Sequence, residues 1–67
     1  METRSLLTPM QEKVITQLAR GLSNEEIAGV LYLDKRTVKN HIYNMMQKMK
    51  FSNRVQLAVW WIRNFES

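Results

Sequence analysis

Residues 34–50 read DKRTVKNHIYNMMQKMK, and the rest of the chain is organised around them. At helical spacing Val38, His41, Ile42, Met45 and Met49 fall on one stripe, and Arg36, Lys39, Asn40, Tyr43 and Gln47 fall on the opposite one. An amphipathic helix normally shows water a face of mixed charge. This polar face offers cations, amides and a phenol with no acid, the chemistry of a surface that lies in a DNA groove, where cations meet phosphates and amides meet base edges. From this helix alone, a solvated basic face explains the pattern equally well.

Outward from the helix, charge is divided unevenly. Residues 1–34 carry Arg4, Lys13 and Arg20 against Glu2, Glu12, Glu25, Glu26 and Asp34. Residues 35–65 carry Lys35, Arg36, Lys39, Lys48, Lys50, Arg54 and Arg63 with no acid, and the formal net charge is +4. A positive half of this kind steers polyanions, nucleic acid being the usual one. An anionic membrane is a poorer partner, because the basic stretch lacks the wide Leu/Phe/Trp face that interfacial helices bury. Sixty-seven residues make one small domain, too short for a β-rich fold to close a core easily. The 45% hydrophobic content is that of a globular chain. The absence of cysteine removes disulfides, thiolate metal sites and a thiol nucleophile. No apolar run approaches the roughly 20 residues that span a bilayer, and the opening METRSLL is not a secretory signal. The expectation is a cytoplasmic domain covering residues 1–67, with an ordered core from about residue 7 to 65.

The segments flanking residues 34–50 complete an all-α fold of four helices around one core. Residues 1–7 read as a loose lead-in. Thr8 as N-cap and Pro9 at the first helical position start a helix from Pro9 to Arg20, with Met10, Val14, Ile15 and Leu18 buried and Gly21 as its stop. Ser23 and Glu26 form a capping-box pattern for a second helix from Asn24 to Leu31, burying Ile27, Ala28 and Leu31. Gly29 weakens so short a helix by roughly 1 kcal/mol, and close approach of a neighbouring helix would account for it. Tyr32-Leu33-Asp34 must then be a tight turn, Asp34 capping the third helix, which gives a helix-turn-helix. Phe51 plugs the core after the third helix, and Ser52 or Asn53 caps a last helix reaching about Phe65. That helix has two apolar stripes, Leu57, Ala58 and Trp61 on one and Val55, Val59 and Ile62 on the other. One stripe is enough for packing; the second predicts a helix–helix dimer surface. Trp61 is expected inside, and Trp60 partly exposed against a dimer mate or a regulatory domain.

Leu7-Thr8-Pro9, the run Gly21-Leu22-Ser23-Asn24-Glu25-Glu26-Ile27-Ala28, then Thr37-Val38-Lys39-Asn40-His41, Gln47-Lys48-Met49 and Arg54-Val55-Gln56 occur in that order. In these blocks the chain resembles the LuxR-type (NarL/GerE-like) DNA-binding domain over about residues 7–62. The resemblance implies a four-helix module of a bacterial transcription regulator that binds double-stranded promoter DNA as a homodimer, often as the output half of a response regulator, with RNA polymerase a further partner it allows. Carried onto this chain, the base-contacting positions are Lys39, Asn40 and Tyr43. Lys35, Arg36, Thr37 and Arg54 match phosphate anchors, joined by Ser23 or Asn24 at the second helix N-terminus, where the helix dipole favours an anion. Val55, Val59 and Ile62 form the dimer stripe. His41, the one histidine, is implied to pack and orient the helix; no second ligand at helical spacing would make it a metal site.

The chain also departs from the family pattern. Met10, Gln11 and Lys13 stand where Arg, Glu and an acid are usual, so an internal ion pair is lost or replaced. Asp34 replaces Ser or Thr, and Lys50 replaces the glycine that ends the third helix in many members. No catalytic residues, metal ligands or cofactors are expected, since there is no acid pair in a cleft, no nucleophile–base pair and no phosphate-cradling glycine loop. The competing reading is a protein-interaction module, a co-regulator or anti-activator that keeps the fold without binding DNA and works through Val55, Val59, Ile62 and Trp60.

Overall fold

Local capping chemistry sets where each helix begins. In the computed structural model, which describes residues 6–66, α1 (Pro9–Ala19), α2 (Asn24–Leu31), α3 (Lys35–Met49) and α4 (Arg54–Trp61) follow in order, and Ile62–Glu66 continues α4 as a π-helical turn. Thr8 and Ser23 each make a reciprocal box. The Thr8 hydroxyl accepts from Gln11 N–H while Thr8 N–H donates to Gln11 Oε1, at 3.1 and 3.0 Å. Ser23 does the same with Glu26, at 3.2 and 2.8 Å. Gln11 thus keeps the first box with an amide in place of a carboxylate, a point the sequence reading missed. Asp34 Oδ1 accepts from Arg36 N–H at 2.7 Å to start α3, and Asn53 Oδ1 accepts from Gln56 N–H at 3.0 Å to start α4.

Three helix exits share a backbone bond from the residue after the turn to the carbonyl five residues back, while the bond of the turn residue itself differs at α2. After α1, Gly21 N–H donates to Leu18 O and Leu22 N–H to Gln17 O; after α3, Lys50 N–H donates to Gln47 O and Phe51 N–H to Met46 O. After α2, Tyr32 N–H and Leu33 N–H both reach Ala28 O. Each exit needs one left-handed residue followed by an apolar one that turns back on the helix. Only the first uses glycine: φ is +89° at Gly21, 57° at Tyr32 and 61° at Lys50. Lys50, where the family pattern holds glycine, therefore carries a left-handed backbone on an L-residue.

The core gathers one stripe from each helix: Val14, Ile15 and Leu18 from α1, Ile27 and Ala28 from α2, Val38, Ile42 and Met45 from α3, Leu57 and Trp61 from α4. Six of the core side chains are less than 2% exposed, each worth roughly 1.5–3 kcal/mol on burial. Several expectations need adjustment. Leu7, assigned to the loose lead-in, is buried in the core, while residues 1–5 of that lead-in lie outside the described residues. Met10, Leu31, His41 and Met49 are half-buried at the rim, and Gln11 is buried where Met10 was expected. Gly29 is exposed, and a Cβ built on it meets nothing within 4 Å, so no neighbouring helix explains it.

The last helix also ends differently. Its α-helical part stops at Trp61 and the final turn widens into a π turn, within which Asn64 Nδ2 donates to Trp60 O at 2.8 Å. Trp61 Nε1 donates to Glu66 Oε2 at 2.6 Å, a five-residue spacing that suits a π turn. Phe65 packs tilted on Trp61 at 4.5 Å and edge-on to Trp60 at 5.7 Å (centroid distances), so this turn covers the core with aromatic rings.

Candidate nucleic-acid interface

The division of α3 into two faces follows from its spacing. Val38, Ile42 and Met45 bury one face, which leaves Arg36, Lys39, Asn40, Tyr43, Asn44 and Gln47 exposed on the other. Lys39, Asn40 and Tyr43 thus stand together outward on a helix whose orientation the core fixes, and Tyr43 is 56% exposed. Thr37 is half-buried at the edge of that face.

Two helix starts converge beside it. Ser23, Asn24 and Glu25 from the head of α2 and Asp34, Lys35, Arg36 and Lys39 from the head of α3 line one cleft. A helix head carries the positive end of the helix dipole, and Lys35, Arg36 and Lys39 add three cations to this opening. The Ser23 hydroxyl accepts from Glu26 N–H and so keeps its own proton to donate. A second groove, lined by Asn24, Lys39, Ile42, Tyr43, Met46 and Arg54, continues from the cleft along α3. The structure therefore brings Ser23, Asn24, Lys35, Arg36 and Lys39 into one cleft and joins Tyr43 and Arg54 to it through the groove. Asn40 lines neither, though it is exposed on the same face.

The arrangement holds two acids that site reasoning from sequence left out. Glu25 and Asp34 line the cleft with the cations. Asp34 is legible in sequence only as a helix cap and Glu25 only as an acid in the first turn of α2, and only the folded arrangement brings them to the same opening. Arg54 is likewise engaged within the chain: Nη1 donates to Asn24 Oδ1 at 2.5 Å and Nη2 to the Leu22 carbonyl at 3.4 Å. Lys48, the cation in the last turn of α3, turns away toward the chain before α1, donating to the Leu6 carbonyl and, at 3.5 Å, to Gln11 Oε1.

A second surface of different chemistry lies on α4. Val55 is 65% and Val59 38% exposed, and they share a groove with Phe51, Asn53, Gln56, Trp60, Arg63 and Asn64. Ile62 is 37% exposed but does not line that groove. Trp61 is buried and Trp60 half-buried, as their positions in the sequence imply. Among the described residues no helix is long and apolar enough to cross a membrane.

A helix-turn-helix with an acid-free outer face on its second helix is the frame of many DNA-binding regulators. The model of bacterial regulatory proteins of the luxR family matches residues 5–61. The chain belongs to the luxR family. Within it, the chain is 43% identical over 54 residues to the nitrate/nitrite response regulator protein NarL of Escherichia coli K12, covering 81% of this chain and 25% of NarL. It is 39% identical over 56 residues to the CsgBAC operon transcriptional regulatory protein of the same organism, covering 84% of this chain and 26% of that protein. A Bacillus subtilis transcriptional regulatory protein, YhcZ, is 37% identical over 57 residues, covering 85% of this chain and 27% of YhcZ. The chain thus spans about a quarter of the length of these luxR-family relatives. The luxR family is one of DNA-binding transcription regulators, in keeping with the four-helix architecture and the basic second half of the chain.

Proposed function

We propose that this domain binds double-stranded promoter DNA sequence-specifically, with α3 in the major groove. The observation that carries the reading is the surface that joins Lys39 and Tyr43 to the cleft at the heads of α2 and α3, with Asn40 exposed on the same face of α3. Lys39 donates to guanine O6 or N7, and Asn40 pairs with adenine N6 and N7, each such contact discriminating by about 1–3 kcal/mol. Tyr43 contacts a thymine methyl or a phosphate. Ser23, Asn24, Lys35, Arg36 and Thr37 hold the DNA backbone and so fix the register of the reading helix. Arg54 stands at the groove's edge and belongs to this machinery.

A second copy pairs through Val55 and Val59 of α4, with Ile62 at the margin, which gives two reading helices for two half-sites. The protein works in the cytoplasm, where promoter DNA lies, with RNA polymerase as a further partner of the bound regulator. The Val55/Val59/Trp60 groove also supports the rival reading, a protein-interaction module that does not use DNA. A reporter assay separates the two. Lys39→Glu places an acid on the reading face and should abolish regulation; full regulation by this variant would favour the interaction module.

A further inference from the structure

Arg54 opens α4, yet its guanidinium serves the entrance of α2. Nη1 donates to Asn24 Oδ1 at 2.5 Å and Nη2 to the Leu22 carbonyl at 3.4 Å, while α2 packs chiefly on α3 and α1, and α4 chiefly on α1 and the final turn. The Arg54 side chain therefore bridges two helices whose main packing is with other partners. It also settles the direction of an amide. A carboxamide has an accepting end and a donating end, and a cation on Oδ1 leaves the Nδ2 hydrogens for any other partner. Turned over, the amide would set its N–H groups against the guanidinium, donor against donor. Asn24 lines both the cleft of Ser23, Lys35, Arg36 and Lys39 and the groove of Lys39 and Tyr43. A phosphate oxygen accepts and does not donate, so Asn24 contributes there only if it presents its N–H end.

We infer that Arg54 is a positioning residue for the phosphate cleft: it fixes Asn24 as a hydrogen-bond donor and ties α4 to the head of α2, and does not itself neutralise a phosphate. This rests on the reading of the α2–α3 cleft as a phosphate site. It has a thermodynamic signature. A side chain that neutralises a phosphate contributes about 0.9 to the slope of log affinity against log salt. One that acts by orienting an amide contributes affinity without slope, and its effect disappears once the amide is gone.

The test is a double-mutant cycle, read by fluorescence anisotropy of a labelled mixed-sequence duplex across a salt series from about 50 to about 200 mM. Wild type, Arg54→Ala, Asn24→Ala and the double variant are compared. Each single change should weaken binding about three- to tenfold, the worth of one hydrogen bond. The double variant should bind no more weakly than the weaker single variant, and Arg54→Ala should keep the wild-type salt slope. Effects that multiply in the double variant, or a slope reduced by about 0.9 per arginine removed, overturn the inference while leaving the DNA-binding reading in place. No salt-dependent binding by wild type overturns both. Asn24→Asp keeps an acceptor for Arg54 and removes the donors; it should melt at or above the wild-type temperature yet bind DNA less well than wild type. Wild-type binding by this folded variant would also overturn the inference.

Discussion

Lys50→Gly should stabilise the domain, and the size of the gain follows from backbone geometry. Lys50 is exposed, with φ 61° and ψ 37°, and its N–H bonds to Gln47 O and Met46 O. An L-residue held in this left-handed region costs roughly 1–2 kcal/mol because Cβ crowds the following carbonyl. Glycine removes that cost but has about 0.5–1 kcal/mol more chain entropy to lose on folding. The difference lies between about 0 and 1.5 kcal/mol, and its central value of about 0.75 kcal/mol raises Tm by about 3–6 °C in a domain of this size. Thermal unfolding followed by circular dichroism measures it directly, with coincidence of a second probe confirming two-state behaviour. Lys50→Ala is the control for charge: it keeps the Cβ and removes a cation near the C-terminal end of α3, so it should be neutral or slightly destabilising. If Lys50→Gly melts at or below the wild-type temperature while Lys50→Ala is neutral, the strain assigned to this exit is not there.

Two further predictions concern the surface. Gly29→Ala adds a methyl where nothing lies within 4 Å, so it should gain about 0.5–1 kcal/mol of helix propensity, read as a higher melting temperature. A loss would mean that a contact forms over Gly29 in solution. Val59→Asp places a charge on an exposed position of the α4 groove; the isolated domain should melt within about 0.5 kcal/mol of wild type, while occupancy of paired half-sites falls to that of a single site in sedimentation analysis. Paired occupancy equal to wild type would remove α4 as the dimer contact.

What could be read from sequence was what depends on near neighbours along the chain. The starts at Thr8-Pro9 and Ser23…Glu26 are made by side chains three residues apart, so α1 and α2 begin where the motifs place them. The outer face of α3 is a matter of period, and Arg36, Lys39, Asn40, Tyr43 and Gln47 are all exposed. Tertiary neighbours were hidden. Gly29 was read as a close helix contact because composition shows a cost without showing what surrounds it. Tyr32 carries no local sign of a left-handed backbone, since the demand comes from the exit of α2 and the burial of Leu33 against the core. Of the site, the cations and amides were legible as residue types. The meeting of two helix heads, the acids Glu25 and Asp34 beside the cations, and the grip of Arg54 on Asn24 arise only when segments as far apart as residues 24 and 54 fold together.

Whether α3 reads base sequence is decided by comparing selected and scrambled duplexes. Duplexes selected from a random pool by the wild-type domain are titrated with wild type and with the double variant Lys39→Ala/Asn40→Ala, each against a scrambled duplex. Wild type should prefer the selected duplex and bind with a steep salt dependence. The variant should retain weaker, salt-dependent binding to both duplexes and lose the preference, since two contacts worth about 1–3 kcal/mol each are gone. A variant that still discriminates as wild type does would place sequence recognition away from Lys39 and Asn40.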